Sequence, residues 1–159
     1  MYKINVVLNE KKTGGVITGE NIPSINVESH ATKTMLSYKN DSNHQITITA
    51  FNHITDSRGN EYSFHRHFFG KQKYSLRNKN LAFGLYRQKG NKVFDSTKYF
   101  IIRQNGNAIG NLKIIVHLTR GEEVAVEFED ETLFEPCLIF AFCVFKALLG
   151  VALSSHDLS

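Results

Sequence analysis

Apolar and polar residues alternate along most of this chain, from its start to about residue 130. In residues 45–54, for example, Ile46 and Ile48 alternate with Thr47 and Thr49. A period of two with many β-branched side chains is typical of a strand that has one buried face. The clearest predicted strands are residues 1–8, 33–38, 45–54, 61–69, 81–86, 98–103, 108–118 and 123–129.

Turn sequences separate these strands. Residues 56–60, 89–92 and 105–107 all carry Gly and Asn, and Asn105-Gly106 favours a tight hairpin turn with positive φ. Residues 9–19 are turn-rich around Val16-Ile17 and predict a connector. With the weak N-terminal connectors supplying the rest, the pattern predicts about 10–12 strands with the spacing of a barrel or sandwich.

The last part of the chain does not alternate. Residues 137–153 are apolar on every helical face except at Lys146, and such a helix belongs inside a protein or a membrane. It would be about 26 Å long, whereas a spanning helix needs about 20 apolar residues. The cost of Lys146, about 3 kcal/mol, roughly cancels the apolar gain on insertion.

A closed antiparallel β-barrel around this helix satisfies both patterns. The apolar faces of the strands then pack on the helix, and the helix is surrounded by protein on every side. A helix about 10–12 Å across requires more than eight strands. We therefore predict a mainly β (α+β) single domain over residues 1–159, with strands over about 2–130 and a central helix over about 134–153. Lys146 should then lie near a barrel mouth, extend to one, or find a buried partner. The alternatives are a membrane anchor at residues 137–153 and a helix packed outside the strands.

Two stretches resemble the tubby C-terminal-like superfamily, which includes phospholipid scramblases and LURP-one-related proteins. Residues 99–110, an aromatic-aliphatic strand with a Gly turn and an Ile-Gly pair, are similar to the family's late hairpin, and residues 146–152 are similar to the end of the scramblase helix. The resemblance implies a barrel threaded by one hydrophobic helix. The chain lacks a scramblase-type Pro- and Cys-rich region and a recognisable calcium loop.

Charge is unevenly distributed in a chain of net charge +4. Residues 58–103 hold eleven Lys or Arg and two acidic residues, a local balance of +9, whereas residues 122–135 hold seven acidic residues and no Lys or Arg. A basic region attracts phosphate-bearing partners, although it is also typical of a solvated sheet face. The acidic run suits the start of a helix, where carboxylates complement the helix dipole, and a bound cation is the alternative.

The best candidates for lipid or anion binding are basic residues interleaved with Tyr74 and the Phe68-Phe69 pair, since cations meet phosphates and aromatics touch lipid. Lysines on a strand edge also block unwanted pairing, which is a sufficient structural reason for them. The candidates are Arg66, Lys71, Lys73, Arg77 and Lys79.

No catalytic motif stands out, so we predict a non-enzymatic protein without cofactor or metal. His53, His65 and His67 could approach one another on a hairpin, but further zinc ligands are not evident, and an exposed polar face explains them. Residues 14–19 resemble the start of a phosphate-binding loop but lack the Lys-Ser/Thr that must follow.

Both cysteines, Cys137 and Cys143, fall in the apolar segment, six residues apart and on different helical faces, so they cannot bridge each other. Free buried thiols fit a reducing compartment, and the N-terminus lacks a secretory signal pattern. These observations predict a cytoplasmic binding module for an anionic phospholipid, a membrane surface or a protein partner, with nucleic acid not favoured. The alternative function is a tail-anchored membrane protein with a soluble β-domain.

Overall fold

A computed structural model describes residues 2–8, 13–20, 22–30, 32–49, 53–66, 74–89, 95–117 and 123–157. These residues form twelve antiparallel strands, a short 3₁₀ turn and one α-helix. The strands are β1 (Tyr2–Leu8), β2 (Gly14–Gly19), β3 (Ile25–His30), β4 (Lys33–Tyr38), β5 (Gln45–Thr49), β6 (His53–Asp56), β7 (Glu61–Arg66), β8 (Tyr74–Arg77), β9 (Leu81–Lys89), β10 (Asp95–Gln104), β11 (Asn107–His117) and β12 (Glu123–Phe128). The 3₁₀ turn is Glu131–Leu133 and α1 is Phe134–Asp157.

The strands form a closed barrel in which each strand pairs with its sequence neighbours. The ring closes where β1 pairs with β12, in a register that sets Tyr2 opposite Phe128 and Val6 opposite Val124. Closure leaves no free sheet edge along this seam. The predicted fold class, a closed antiparallel barrel of about 10–12 strands around one C-terminal helix, is therefore confirmed.

The helix lies inside the ring. From Cys137 to Phe145 its side chains are buried whichever way they point, as the apolar pattern predicted. The helix contacts β7 and β8 as well as β11 and β12, and β7 and β12 are five places apart in a ring of twelve. A helix packed outside the barrel could not touch such distant strands.

Phe140 lies at the centre of this packing. Its ring centroid is 4.6 Å from that of Phe100 on β10, 5.1 Å from that of Phe83 on β9 and 6.1 Å from that of Phe64 on β7. Tilted and edge-on aromatic pairs at such distances contribute packing energy beyond their buried area. Phe residues of three strands thus pack against the helix.

The strand boundaries differ from prediction in several places. Residues 45–54 were predicted as one strand, but the structure forms two, β5 and β6, with Ile48 paired to Ile54. Apolar residues continue through this hairpin, so alternation could not mark the turn. The predicted connector at residues 9–19 contains β2, and neither β3 nor β8 was predicted individually. The predicted turn at residues 89–92 and the predicted strand end at residues 67–69 extend beyond the described residues.

The predicted turns at residues 56–60 and 105–107 are confirmed. The Asp56 carboxylate accepts hydrogen bonds from the backbone N–H groups of Arg58 and Asn60, at 2.9 and 2.8 Å, which is the local chemistry that favours Asp in turns. Asn105 and Gly106 have φ of 51° and 85°. Positive φ at both positions is what a two-residue hairpin of this type requires.

Gly15 allows β1 and β2 to approach closely. A Cβ atom at this position would lie 2.3 Å from the Val7 carbonyl oxygen and 2.8 Å from the Leu8 Cα, both backbone atoms. We expect Gly15→Ala to lower the free energy of unfolding by about 1–3 kcal/mol, because the strands must separate to accept the methyl group. Gly110→Ala is the matched control, since its Cβ would meet only the Ile102 Cδ1 atom at 3.9 Å. Equal urea midpoints for the two variants would contradict this explanation.

The structure also bears on the membrane-anchor alternative. Within the part of the chain that the structure describes, no helix has the length and hydropathy needed to cross a bilayer. The first half of the proposed anchor, residues 137–145, is enclosed by the strands.

Candidate functional site

The helix gives the barrel two different mouths. At the lower mouth α1 begins, following Leu133, and at the upper mouth Lys146 is the first exposed residue after the buried stretch. Lys146 was predicted to lie near a mouth, and this is confirmed. Its ammonium group donates a hydrogen bond of 2.7 Å to the Thr34 hydroxyl of β4 and lies 6.0 Å from the centre of the Phe142 ring.

The upper mouth contains a cavity of about 300 Å³, here called the upper pocket. Three cationic side chains line it, contributed by β4, β7 and α1. They are Lys33, Arg66 and Lys146. Three threonine hydroxyls, His30 and an apolar wall complete the lining, and none of its described residues is Asp or Glu. Cationic groups that line one cavity repel one another, so an anion between them would be stabilised.

Local folding explains why Arg66 reaches this pocket. Tyr62 and Phe64 of β7 point into the barrel, and Arg66 follows them in the same alternation at the end of the strand. Burial raises the pKa of its cross-strand neighbour Tyr74, and the guanidinium of Arg66 offsets part of that rise. Arg66 is therefore a cation held at the rim rather than a side chain turned away from the barrel.

The Thr34 hydroxyl connects Lys146 to the wall of the pocket. Thr34 is 2% exposed, and its Oγ1 atom lies 3.0 Å from the Ser29 Oγ atom of β3 as well as 2.7 Å from the Lys146 Nζ atom. If the lysine donates to Thr34, the Thr34 O–H can donate to Ser29, so both hydroxyls are satisfied. Burial lowers the pKa of Lys146, and the nearby Cys143 partly offsets this.

The other basic candidates are placed differently. Arg77 and Lys79 lie at the far end of β8 and just after it, and both line a larger cleft of about 1180 Å³ at the lower mouth. Lys71 and Lys73 lie outside the described residues. Of the five predicted residues, the structure thus places Arg66 at one mouth and Arg77 with Lys79 at the other.

The lower cleft contains a buried polar group formed by three elements. His44, in the turn between β4 and β5, lies with its Nε2 atom 2.7 Å from Oε1 of Glu135 in the first turn of α1. The Tyr38 ring stacks on the His44 imidazole with centroids 4.0 Å apart. Asp56, at the end of β6, lies close enough to Glu135 for the two carboxyl groups to affect each other's pKa. These contacts fix the start of the helix to two strand connections.

The surroundings shift the pKa values of the two carboxyl groups of this cluster, Glu135 and Asp56, in opposite directions. Burial raises the pKa of Glu135, and the negative charge of Asp56 adds to this, while His44 opposes it. Burial would also raise the pKa of Asp56, but hydrogen bonds from Asn60 and Arg58 hold it below its ordinary value. The pKa of Glu135 is therefore raised while that of Asp56 is lowered, so Glu135 is the weaker acid of the two. Nearby Tyr62 is also affected, because burial raises its pKa to about 12.

We expect Glu135→Gln to flatten the pH dependence of stability. The raised pKa of Glu135 gives a contribution that is fully present below its ordinary value of 4.5 and is lost as pH rises through the folded value. Gln keeps the hydrogen-bonding shape of the protonated acid but does not titrate. Urea unfolding between pH 4.5 and 8 should therefore show a smaller decline in the variant than in the wild type. The exposed Glu129→Gln is the control, and equal slopes in all three proteins would contradict the account.

Only part of the acidic run at residues 122–135 stabilises the start of the helical segment. The Asp130 carboxylate accepts hydrogen bonds from Thr132, at 3.0 Å from its backbone N–H and 2.7 Å from its hydroxyl, and so caps the 3₁₀ turn. Glu135 lies in the first turn of α1, where a carboxyl is favoured. Glu127 instead forms an ion pair of 3.5 Å with Lys113 on the barrel wall.

Two of the histidines considered as zinc ligands, His53 and His65, lie on β6 and β7. His53 pairs with Ser63 and His65 with Ser75, so the two histidines face different neighbours, and His67 lies outside the described residues. Among the residues that the structure describes, no group of three or more His, Cys, Asp or Glu side chains could hold a metal ion. Cys137 and Cys143 are both free and buried, as predicted.

Sequence reasoning missed Lys33 and Lys146 as partners of Arg66. Lys146 and Thr34 are separated by 112 positions, and only the barrel register brings them together. The available signal was Lys146 itself, the one charged residue in an otherwise apolar segment. Comparisons with protein-family models, with curated proteins and with solved structures found no match to this chain.

Proposed function

We propose that the protein is a non-enzymatic binding module that attaches through its upper mouth to an anionic surface, in the first place that of a membrane rich in anionic phospholipid. The observation that carries this proposal is the convergence of Lys33, Arg66 and Lys146 on one cavity whose described lining contains no carboxylate. Cations grouped at one end of a rigid barrel can meet a charged plane together.

The architecture of the barrel supports a binding role. The helix fills the interior from Cys137 to Phe145, so a ligand must bind at a mouth or on the wall. The upper mouth is basic, whereas the lower cleft mixes Arg58, Arg77 and Lys79 with carboxylates such as Glu61 and Glu135. Net attraction for an anion is therefore strongest at the upper mouth.

We also propose that the chain is a divergent member of the tubby C-terminal-like superfamily. The architecture, a closed antiparallel barrel threaded by one C-terminal hydrophobic helix, supports this assignment together with the resemblance of residues 99–110 and 146–152. Two free, buried cysteines favour a cytoplasmic location, where thiols stay reduced.

Vesicle co-sedimentation tests the function. At low salt we expect the full chain to bind vesicles of phosphatidylcholine mixed with an anionic lipid, and not vesicles of phosphatidylcholine alone. Added salt should weaken the binding, because exposed charges are screened within about 10 Å at 0.1 M ionic strength. If the same fraction of the protein sedimented with both vesicle types, the membrane proposal would be contradicted. Pull-down of a protein partner with no vesicle binding would favour the protein-surface alternative.

A further inference from the structure

The upper pocket contains a specific arrangement of donors rather than a diffuse positive charge. Lys33, Arg66 and Lys146 come from three separate elements, β4, β7 and α1, and surround one cavity. The hydroxyls of Thr34 and Thr49 lie in the same lining. Charge-assisted hydrogen bonds from several directions to one group are characteristic of sites that bind phosphate.

Lys146 is positioned to serve a ligand. Its ammonium group has three N–H donors, and Thr34 is the hydrogen-bond partner that the described residues provide, at 2.7 Å. Two donors remain for a ligand at the mouth. Because partial burial disfavours the charged lysine, an anion in the pocket would restore the lost solvation.

The walls limit the size and shape of the ligand. A volume of about 300 Å³ lies at the small end of ligand pockets, and Ile48, Phe64 and Ala147 give it an apolar side. A terminal phosphate offers three acceptor oxygens and a charge near −2, which matches three cationic donors. A phosphodiester has two free oxygens and a single charge, and its second substituent would have to fit in the same small cavity.

We propose that the upper pocket binds the terminal phosphate of a phosphomonoester, held by Lys33, Arg66 and Lys146, with the attached carbon group against Phe64 and Ala147. This inference rests on the proposed anionic-surface function and identifies the chemical group that the same site recognises. The phosphomonoester can come from a lipid headgroup or from a free metabolite, and the chemistry of recognition is the same.

The experiment compares two probes. Glycerol 3-phosphate serves as the free phosphomonoester and is titrated into the full chain by isothermal calorimetry. Vesicles with phosphatidic acid, which exposes a phosphomonoester, are compared with vesicles carrying phosphatidylserine, a phosphodiester. We expect tighter binding to phosphatidic acid and competition by glycerol 3-phosphate. Glycerol 3-phosphate binding without vesicle binding would identify a free phosphomonoester as the ligand and would sink the membrane function.

Variants locate the site. Lys33→Gln, Arg66→Gln and Lys146→Met each remove one donor, and we expect each to weaken glycerol 3-phosphate binding at least about tenfold. Arg77→Gln, at the lower mouth, removes the same charge and is expected to leave binding unchanged. Because Lys33, Arg66 and Lys146 are all exposed, their substitution should preserve the fold, which far-UV circular dichroism checks.

The outcomes separate the two proposals. If anionic vesicles bind but the three upper-mouth variants bind as well as the wild type, the phosphomonoester site is wrong and the surface-binding function stands. Equal binding of phosphatidic acid and phosphatidylserine at matched charge would also overturn the site. If neither vesicles nor glycerol 3-phosphate bind the wild type, both proposals fail.

Discussion

Replacing Phe140 by Ala is expected to lower the free energy of unfolding by about 3–5 kcal/mol. The ring is fully buried and contacts three aromatic rings, those of Phe64, Phe83 and Phe100, which belong to three different strands. Its removal would leave a cavity at the middle of the barrel, where closed strands cannot collapse inward. Equilibrium unfolding in urea measures the loss.

Phe134→Ala provides the comparison. Phe134 is only half-buried at the lower mouth, and its ring centroid lies 6.2 Å from that of Phe128. Solvent can fill the space that its truncation leaves, so we expect a clearly smaller loss than for Phe140. A Phe140→Ala variant as stable as Phe134→Ala would mean that the helix does not fill the barrel as described.

Substitution of buried helix residues by Asn is expected to be costly in every direction around the helix. Leu138, Ile139 and Val144 point in different directions because successive residues turn by about 100°, and all three are 0% exposed. An amide placed there loses its water without gaining a partner, and we expect losses of about 2–5 kcal/mol at each site.

A helix packed on the outside of a sheet would behave differently. At least one of its faces would be solvated, and Asn on that face would cost well under 1 kcal/mol. Lys146→Asn is the matched control on the same helix, since that residue is exposed. Urea unfolding of the four variants therefore distinguishes a central helix from a peripheral one, and tolerance at any of the three buried positions would count against the barrel.

The architecture could be predicted from the sequence because the chain contains two apolar patterns, one of strands and one of a helix, that each need a buried partner. Alternation in strands such as β4 and β11 required a filling, and the segment from Cys137 onward required cover on all sides. One arrangement satisfied both. β2 and β8 were missed because Gly14-Gly15 and the short Tyr74–Arg77 stretch carry little alternation.

The candidate site was less predictable. Composition pointed to Arg66, Arg77 and Lys79 as one group, but the structure places Arg66 at the upper mouth and Arg77 with Lys79 at the lower mouth. Contacts such as His44 with Glu135 join residues 91 positions apart. Such pairs depend on the register of the strands and on the depth of the helix, neither of which is visible in local sequence.

The reactivity of the two cysteines tests the enclosed helix most directly. Burial raises the pKa of both thiols, that of Cys143 to about 12, where nearby Lys146 opposes part of the rise, and the reactive thiolate is therefore scarce. With Ellman's reagent we expect the native chain to show almost no reaction at Cys137 and Cys143 while the urea-unfolded chain reacts fully at both. Reaction of the native protein at the rate of the unfolded chain would show that the helix is not enclosed by the barrel.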